Sequence, residues 1–342
     1  MRQWWLFLVF FCVAPNAFGG ASCEPIDLRR LIGEPMDQGD SSYCFAHTAS
    51  SLIEAKLGFR VSPMQLATHY LTANPEELSG AAPAEVKRRL TPEFFAFWKN
   101  DRASEPETYA PDRILTETGL LDTGGEELPS LLAVNFLGLC PHERLPTGLD
   151  VYKPYLASIN EYHRQREQHG IPPEEKSRPL GEIPDPEARG MAWSYRHWVE
   201  ERCGQRVMPS RPILPRMISL APNLATFRKQ QAAGRLTSAM KTNLVDAINA
   251  SLERGQPISI GYAYADLIPE KKVSAGAAEV DHASIIAARR RVGGKCYYFV
   301  RNSFGDEKDD GYSSKFQGRL ESGGVWVLPE EVPSLYTAVW LE

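Results

Sequence analysis

Apolar positions along the chain change their spacing as it proceeds, and each regime predicts a different kind of element. Phe45, Ala49, Leu52, Ile53 and Leu57 recur at helical spacing and Gly58 follows as a stop, which predicts a helix beginning near Cys44. Ser62 and Pro63 have the N-cap and first-turn signature of a second helix, with Leu66, Tyr70 and Leu71 facing inward. Between residues 74 and 123, Pro83, Pro92, Pro106 and Pro111 break the pattern into short helical pieces, and Phe94, Phe95, Phe97 and Trp98 read as core packing. Residues 161–190, dense in Glu, Arg, Gln and Pro, predict a long surface loop. The last third opens with a helix through Leu244, Ala247, Ile248 and Leu252 that stops at Gly255. Strand patterns follow at 257–262, 284–288, 297–301 and 325–327. Helices first and strands later predict an α+β fold with the two segregated.

The N-terminus obeys neither period. Trp4–Val13 is an unbroken apolar run behind Arg2, with Ala17, Gly19, Gly20 and Ala21 after it, the pattern of an export signal cleaved after Gly19 or Ala21. The run is about half the length of a bilayer-spanning helix, so the chain is not read as an integral membrane protein. A lipid anchor at Cys23 is the weaker reading, because Gly20 stands where a large aliphatic residue is usual. Of the 342 residues 43% are hydrophobic and 24% charged, enough apolar content for one large core or two adjoining ones. The formal charge of −5 offers no basic excess for phosphates, which argues against nucleic acid as a partner.

Six cysteines become five once Cys12 leaves with the signal, so in an oxidising compartment one thiol stands apart. No metal site is expected. His163 and His169 lie six apart, on different faces of any helix, and Cys140-Pro-His142 lacks a second ligand pair at zinc spacing.

Three segments carry the chemistry. Gln38-Gly39-Asp40-Ser41-Ser42-Tyr43-Cys44 puts a thiol at a helix N-terminus, where the orphan amides and the dipole are expected to lower its pKa. Asp281-His282-Ala283 sets a histidine at a strand edge. Arg301-Asn302-Ser303-Phe304-Gly305 ends another strand with an amide suited to fixing a histidine tautomer.

In this order the segments resemble the papain-like cysteine peptidases: a Gln-Gly turn, a Cys opening a helix, an Asp-His-Ala run and an Asn-Ser-aromatic-Gly run. The resemblance covers roughly residues 34–72, 120–143 and 240–342. It implies a two-subdomain fold, with a helical subdomain at about 34–143, an insertion or linker at about 145–235 and a β-rich subdomain at about 236–342. It further implies Cys44 as nucleophile, His282 as general base and acid, Asn302 as the orienting amide and Gln38 as oxyanion donor. Gly124, Gly125, Asp281 and Phe304 would border the substrate, a peptide or protein. No cofactor is implied, and a monomer is expected.

The departures are equally specific. Ser41 stands where the family has a disulfide cysteine, and Phe304 stands where it has tryptophan. The interval from Cys44 to His282 is about 240 residues, against about 130–150 in the family. The insertion at 145–235 is long enough to cover a cleft, or equally to lie far from it. With Cys44 as the free thiol, Cys23, Cys140, Cys203 and Cys296 allow three pairings, of which Cys140 with Cys203 is favoured. Two other functions fit part of the pattern: a catalytically silent module of the same fold, and a transglutaminase-like acyltransferase, whose third residue would be an acid rather than an amide.

Overall fold

The computed structural model describes residues 23–38, 43–72, 127–147, 199, 202–221, 223–268, 281–303, 305 and 312–342. The export signal, the aromatic cluster at 94–98, the 161–190 stretch with its two histidines, and Gly124, Gly125 and Phe304 lie outside these residues.

The fold is α+β. Helix α1 (Cys44–Leu57) starts where the apolar spacing placed it and ends on Gly58, whose φ of 78° is the left-handed cap that favours glycine. Helix α2 (Pro63–Thr72) is capped by Ser62, whose Oγ accepts from the Gln65 N–H at 3.4 Å. Helices α3 (Glu127–Leu137), α4 (Leu224–Ala232) and α5 (Ser238–Glu253) complete the set named here.

The described strands are β1 (Ile26–Asp27), β2 (Pro215–Ser219), β3 (Ile258–Ala263), β4 (Asp281–Val292), β5 (Lys295–Arg301), β6 (Leu320–Glu321), β7 (Gly324–Val327) and β8 (Thr337–Leu341). They form one antiparallel sheet in the order β2-β8-β3-β4-β5-β7-β6, with β1 paired to β4. Four of them, β1, β2, β6 and β8, lie outside the sequence blocks read as strand. β2 falls within the stretch read as insertion yet pairs with the last strand, and β1 follows closely on Cys23.

Alternation along the strands divides the apolar side chains between two cores. Ile285 and Ala287 of β4, with Val339 and Leu341 of β8, face α1, α2 and α3. Ile286 of β4, Ala338 of β8, and Ile258, Ile260 and Tyr262 of β3 face α4 and α5. Helix α1 therefore lies directly against the sheet, and its N-terminus can meet a strand end.

The β4–β5 hairpin brings two segments of the site together. Gly293 and Gly294, both at positive φ, make its two-residue turn, which a side chain at either position would strain. Ile285 then pairs with Arg301, a register that leaves His282 and Asn302 at the same open end of the hairpin.

Two disulfides tie distant parts: Cys23 to Cys296, and Cys140 to Cys203, the latter as favoured from sequence. Cys44 is the free cysteine. The bond from Cys23 leaves its sulfur no valence for a thioether-linked lipid. Among the described residues no helix is long and apolar enough to cross a membrane.

Candidate active site

Cys44 occupies the first turn of α1, where the chain turns in at Tyr43, whose carbonyl accepts the N–H groups of Ala46 and His47 at 3.0 Å each. The backbone N–H groups of Ala283 and of Phe45 lie near enough to its sulfur to favour the thiolate. Ala283 follows His282 directly, and α1 packs against the strand that carries both.

His282 is buried at 4% exposure, and its Nε2 lies 2.6 Å from Asn302 Oδ1. The same oxygen accepts the Ser303 backbone N–H at 2.9 Å. A backbone N–H only donates, so the Asn302 atom facing it is the carbonyl oxygen and not the amide nitrogen. The proton between His282 and Asn302 therefore sits on Nε2. In the neutral ring, Nδ1 is left with the lone pair, ready to accept a proton.

Asn302 is itself held on both sides. Its N–H donates to the Tyr312 hydroxyl at 3.1 Å, and the preceding residue, Arg301, anchors the loop by donating to the carbonyls of Ile32 and Gly33. Gln38 is joined to the same segment: its N–H donates to the Ser303 carbonyl at 2.7 Å, and its Oε1 accepts from the Ser303 hydroxyl. The Gln38 amide nitrogen is thus the end turned away from Ser303. Asp281, the exposed first residue of β4, accepts the Leu224 N–H at 3.3 Å and so caps α4.

The electrostatics correct one expectation. Burial pushes the Cys44 thiol up to about 12; the Ala283 and Phe45 N–H groups pull the other way, and the carboxyls of Glu127 and Asp281 add to the rise. The residue keeps part of its surface exposed, yet desolvation around the sulfur outweighs the helix end, so position at an N-terminus does not by itself lower this pKa. Burial also drives the His282 imidazole down to about 4, with the Asn302 bond opposing. Each group resists a lone charge.

Several neighbours carried no sequence signal. Tyr264 and Tyr262 meet the His282 ring edge-on, with centroids 5.1 and 5.6 Å away. Glu127, buried at the start of α3, accepts the Ser259 hydroxyl of β3 at 2.7 Å and lies 3.2 Å from Thr48 Oγ1, one turn beyond Cys44. Burial raises its pKa, and the Ser259 and Thr48 bonds oppose that rise. Among the described residues no group of three or more His, Cys, Asp or Glu side chains could hold a metal ion.

No protein-family model matches the chain, and no curated protein matches it by sequence. Among solved structures it is similar to digestive procathepsin L 3 from the larval midgut of Tenebrio molitor, at 8% identity and a TM-score of 0.42 over 95% of this chain and 71% of that one. It is similar also to Xylellain, a cysteine protease from Xylella fastidiosa, at 14% identity and a TM-score of 0.40, covering 92% of this chain and 85% of the other. Bromelain from Ananas comosus, solved with the E64 inhibitor, gives 11% identity and a TM-score of 0.38 over 93% and 97%. At these TM-scores the likeness does not define a family, and the functional reading rests on the site itself.

Proposed function

We propose that the chain is an exported papain-like cysteine peptidase, hydrolysing peptide bonds through an acyl-enzyme on Cys44. The observation that carries this reading is the 2.6 Å bond from His282 Nε2 to Asn302 Oδ1, one residue from the Ala283 N–H that favours the Cys44 thiolate. A histidine so held presents Nδ1 as the base. In the reaction the Cys44 sulfur attacks a peptide carbonyl while its proton passes to His282 Nδ1. The oxyanion is held by the Cys44 N–H, an orphan amide of the first helical turn, and by the Gln38 amide. Collapse breaks the C–N bond, and the imidazolium gives its proton to the leaving amine. Water, deprotonated by His282, then cleaves the thioester and restores the thiol.

The transglutaminase-like alternative needs an acid as third residue. Here the partner of His282 is an amide, and the adjacent acid, Asp281, is engaged in capping α4. The two disulfides agree with an oxidising compartment. The test is hydrolysis of a peptide library by the purified protein and by Cys44→Ala. The wild type is expected to release products and the folded variant none; retained turnover in the variant would overturn the assignment.

A further inference from the structure

His47, Thr48, Ser51, Asn302 and their neighbours, without His282, line a cavity with about 10 Å³ open to the centre of a water-sized sphere. That is the room one water molecule requires. Its polar walls are almost wholly buried: His47 is 3% exposed, Thr48 4%, Ser51 6% and Asn302 4%. Two atoms on these side chains make no hydrogen bond within the protein, Asn302 Nδ2 and His47 Nδ1. The amide cannot turn to relieve this, because its oxygen is already fixed by the His282 Nε2–H and the Ser303 N–H. Buried polar groups in folded proteins are matched by protein or by ordered water.

We infer that one internal water bridges the Asn302 amide to His47, and that His47 is thereby a positioning residue for the Asn302–His282 pair. The water accepts an N–H of Asn302 Nδ2 and donates to His47 Nδ1. Its other proton reaches Ser51 Oγ, which has lone pairs to spare while its own proton goes to the His47 carbonyl at 3.1 Å. This assignment needs His47 neutral with its proton on Nε2, and burial holds its pKa down to about 3. His47 lies one turn along α1 from Cys44, so the bridge links the helix bearing the nucleophile to the loop that orients the base. No covalent step is involved: the bridge restrains rotation of the Asn302 amide and touches no substrate.

The inference rests on the proposed peptidase reading for its consequence in catalysis, but not for the bridge itself. A high-resolution crystal structure of the wild-type protein is expected to show one ordered solvent peak within hydrogen-bonding distance of both Asn302 Nδ2 and His47 Nδ1. A dry cavity, or a side chain filling it, would overturn the bridge whether or not the protein hydrolyses peptides. Kinetics then test the positioning role. His47→Leu, which keeps most of the volume and removes the acceptor, should lower kcat about tenfold, the worth of one hydrogen bond, and leave KM within about twofold. His47→Gln, which restores an acceptor, should recover most of that loss. An unchanged kcat in folded His47→Leu, or equal losses in both variants, would show that His47 only packs. If Cys44→Ala retained turnover, the peptidase reading would fall while the solvent peak remained a separate result.

Discussion

Cys44 and His282 belong to two regions built by different means. The cysteine is held by backbone: it opens α1, whose first turn is closed on the Tyr43 carbonyl, and the amides of Phe45 and Ala283 lie near its sulfur. The histidine is held by side chains, with Asn302 on its Nε2 and two tyrosine rings at its edges. Backbone fixes position and leaves the charge state to burial, which here opposes the thiolate. A side-chain bond also fixes which nitrogen carries the proton. In the proposed mechanism the strand side therefore supplies the acid–base control that the helix side lacks.

Removing that control is expected to have the largest effect. His282→Ala should lower kcat/KM by about a thousandfold or more, within the range for a lost general acid–base group. It should also leave Cys44 with only its raised thiol pKa, so that alkylation slows sharply at neutral pH. Asn302→Ala, which loosens the ring but leaves it present, should cost about a hundredfold or less and damage kcat more than KM. Equal losses in the two variants would mean that the histidine is not separately positioned.

Stability in acid probes both regions together. His282 and His47 are held neutral in the fold at about 4 and about 3, below the ordinary histidine value of 6.5. Their contribution is complete above pH 6.5 and is lost as pH falls toward the folded values, because the unfolded chain takes up protons first. The loss is about 3 kcal/mol for each by pH 4. Urea unfolding between pH 7 and 4 should show it, and His47→Leu should flatten the dependence by about half. A flat wild-type profile would contradict the burial of both rings.

The smallest effect concerns Glu127, whose carboxylate opposes a thiolate at Cys44. Glu127→Gln should raise the alkylation rate at pH 9 by a few fold, and should leave it unchanged at acid pH, where the native carboxyl is already protonated. A change of equal size at both pH values would point to altered packing instead of charge.

What the sequence made legible is mostly local. The α1 start and its Gly58 stop, the Ser62-Pro63 cap and the main strands follow from spacing over a few residues. The order of Cys44, His282 and Asn302 is readable because each stands at or beside an element end, and Gln38 because a Gln-Gly turn signal marks it. Glu127, Tyr262 and Tyr264 were not, since their place beside the site depends on how α3 and β3 pack against α1 and β4. The pairing of β2 with β8 was hidden for the same reason: Pro215–Ser219 has no clean alternation, and only the partner strand defines it. The thiol pKa was misread because a helix end is visible in sequence and burial is not.

The central claim is that Cys44 acts as a nucleophile made reactive by His282. It is tested most directly by titrating the folded protein with an epoxysuccinyl thiol reagent at pH 7, with labelling sites read by mass spectrometry and peptide hydrolysis followed in parallel. One label per chain is expected, on Cys44, with hydrolysis falling in proportion, and almost no labelling of folded His282→Ala under the same conditions. Equal labelling of wild type and His282→Ala, or full hydrolysis after Cys44 is fully labelled, would contradict it.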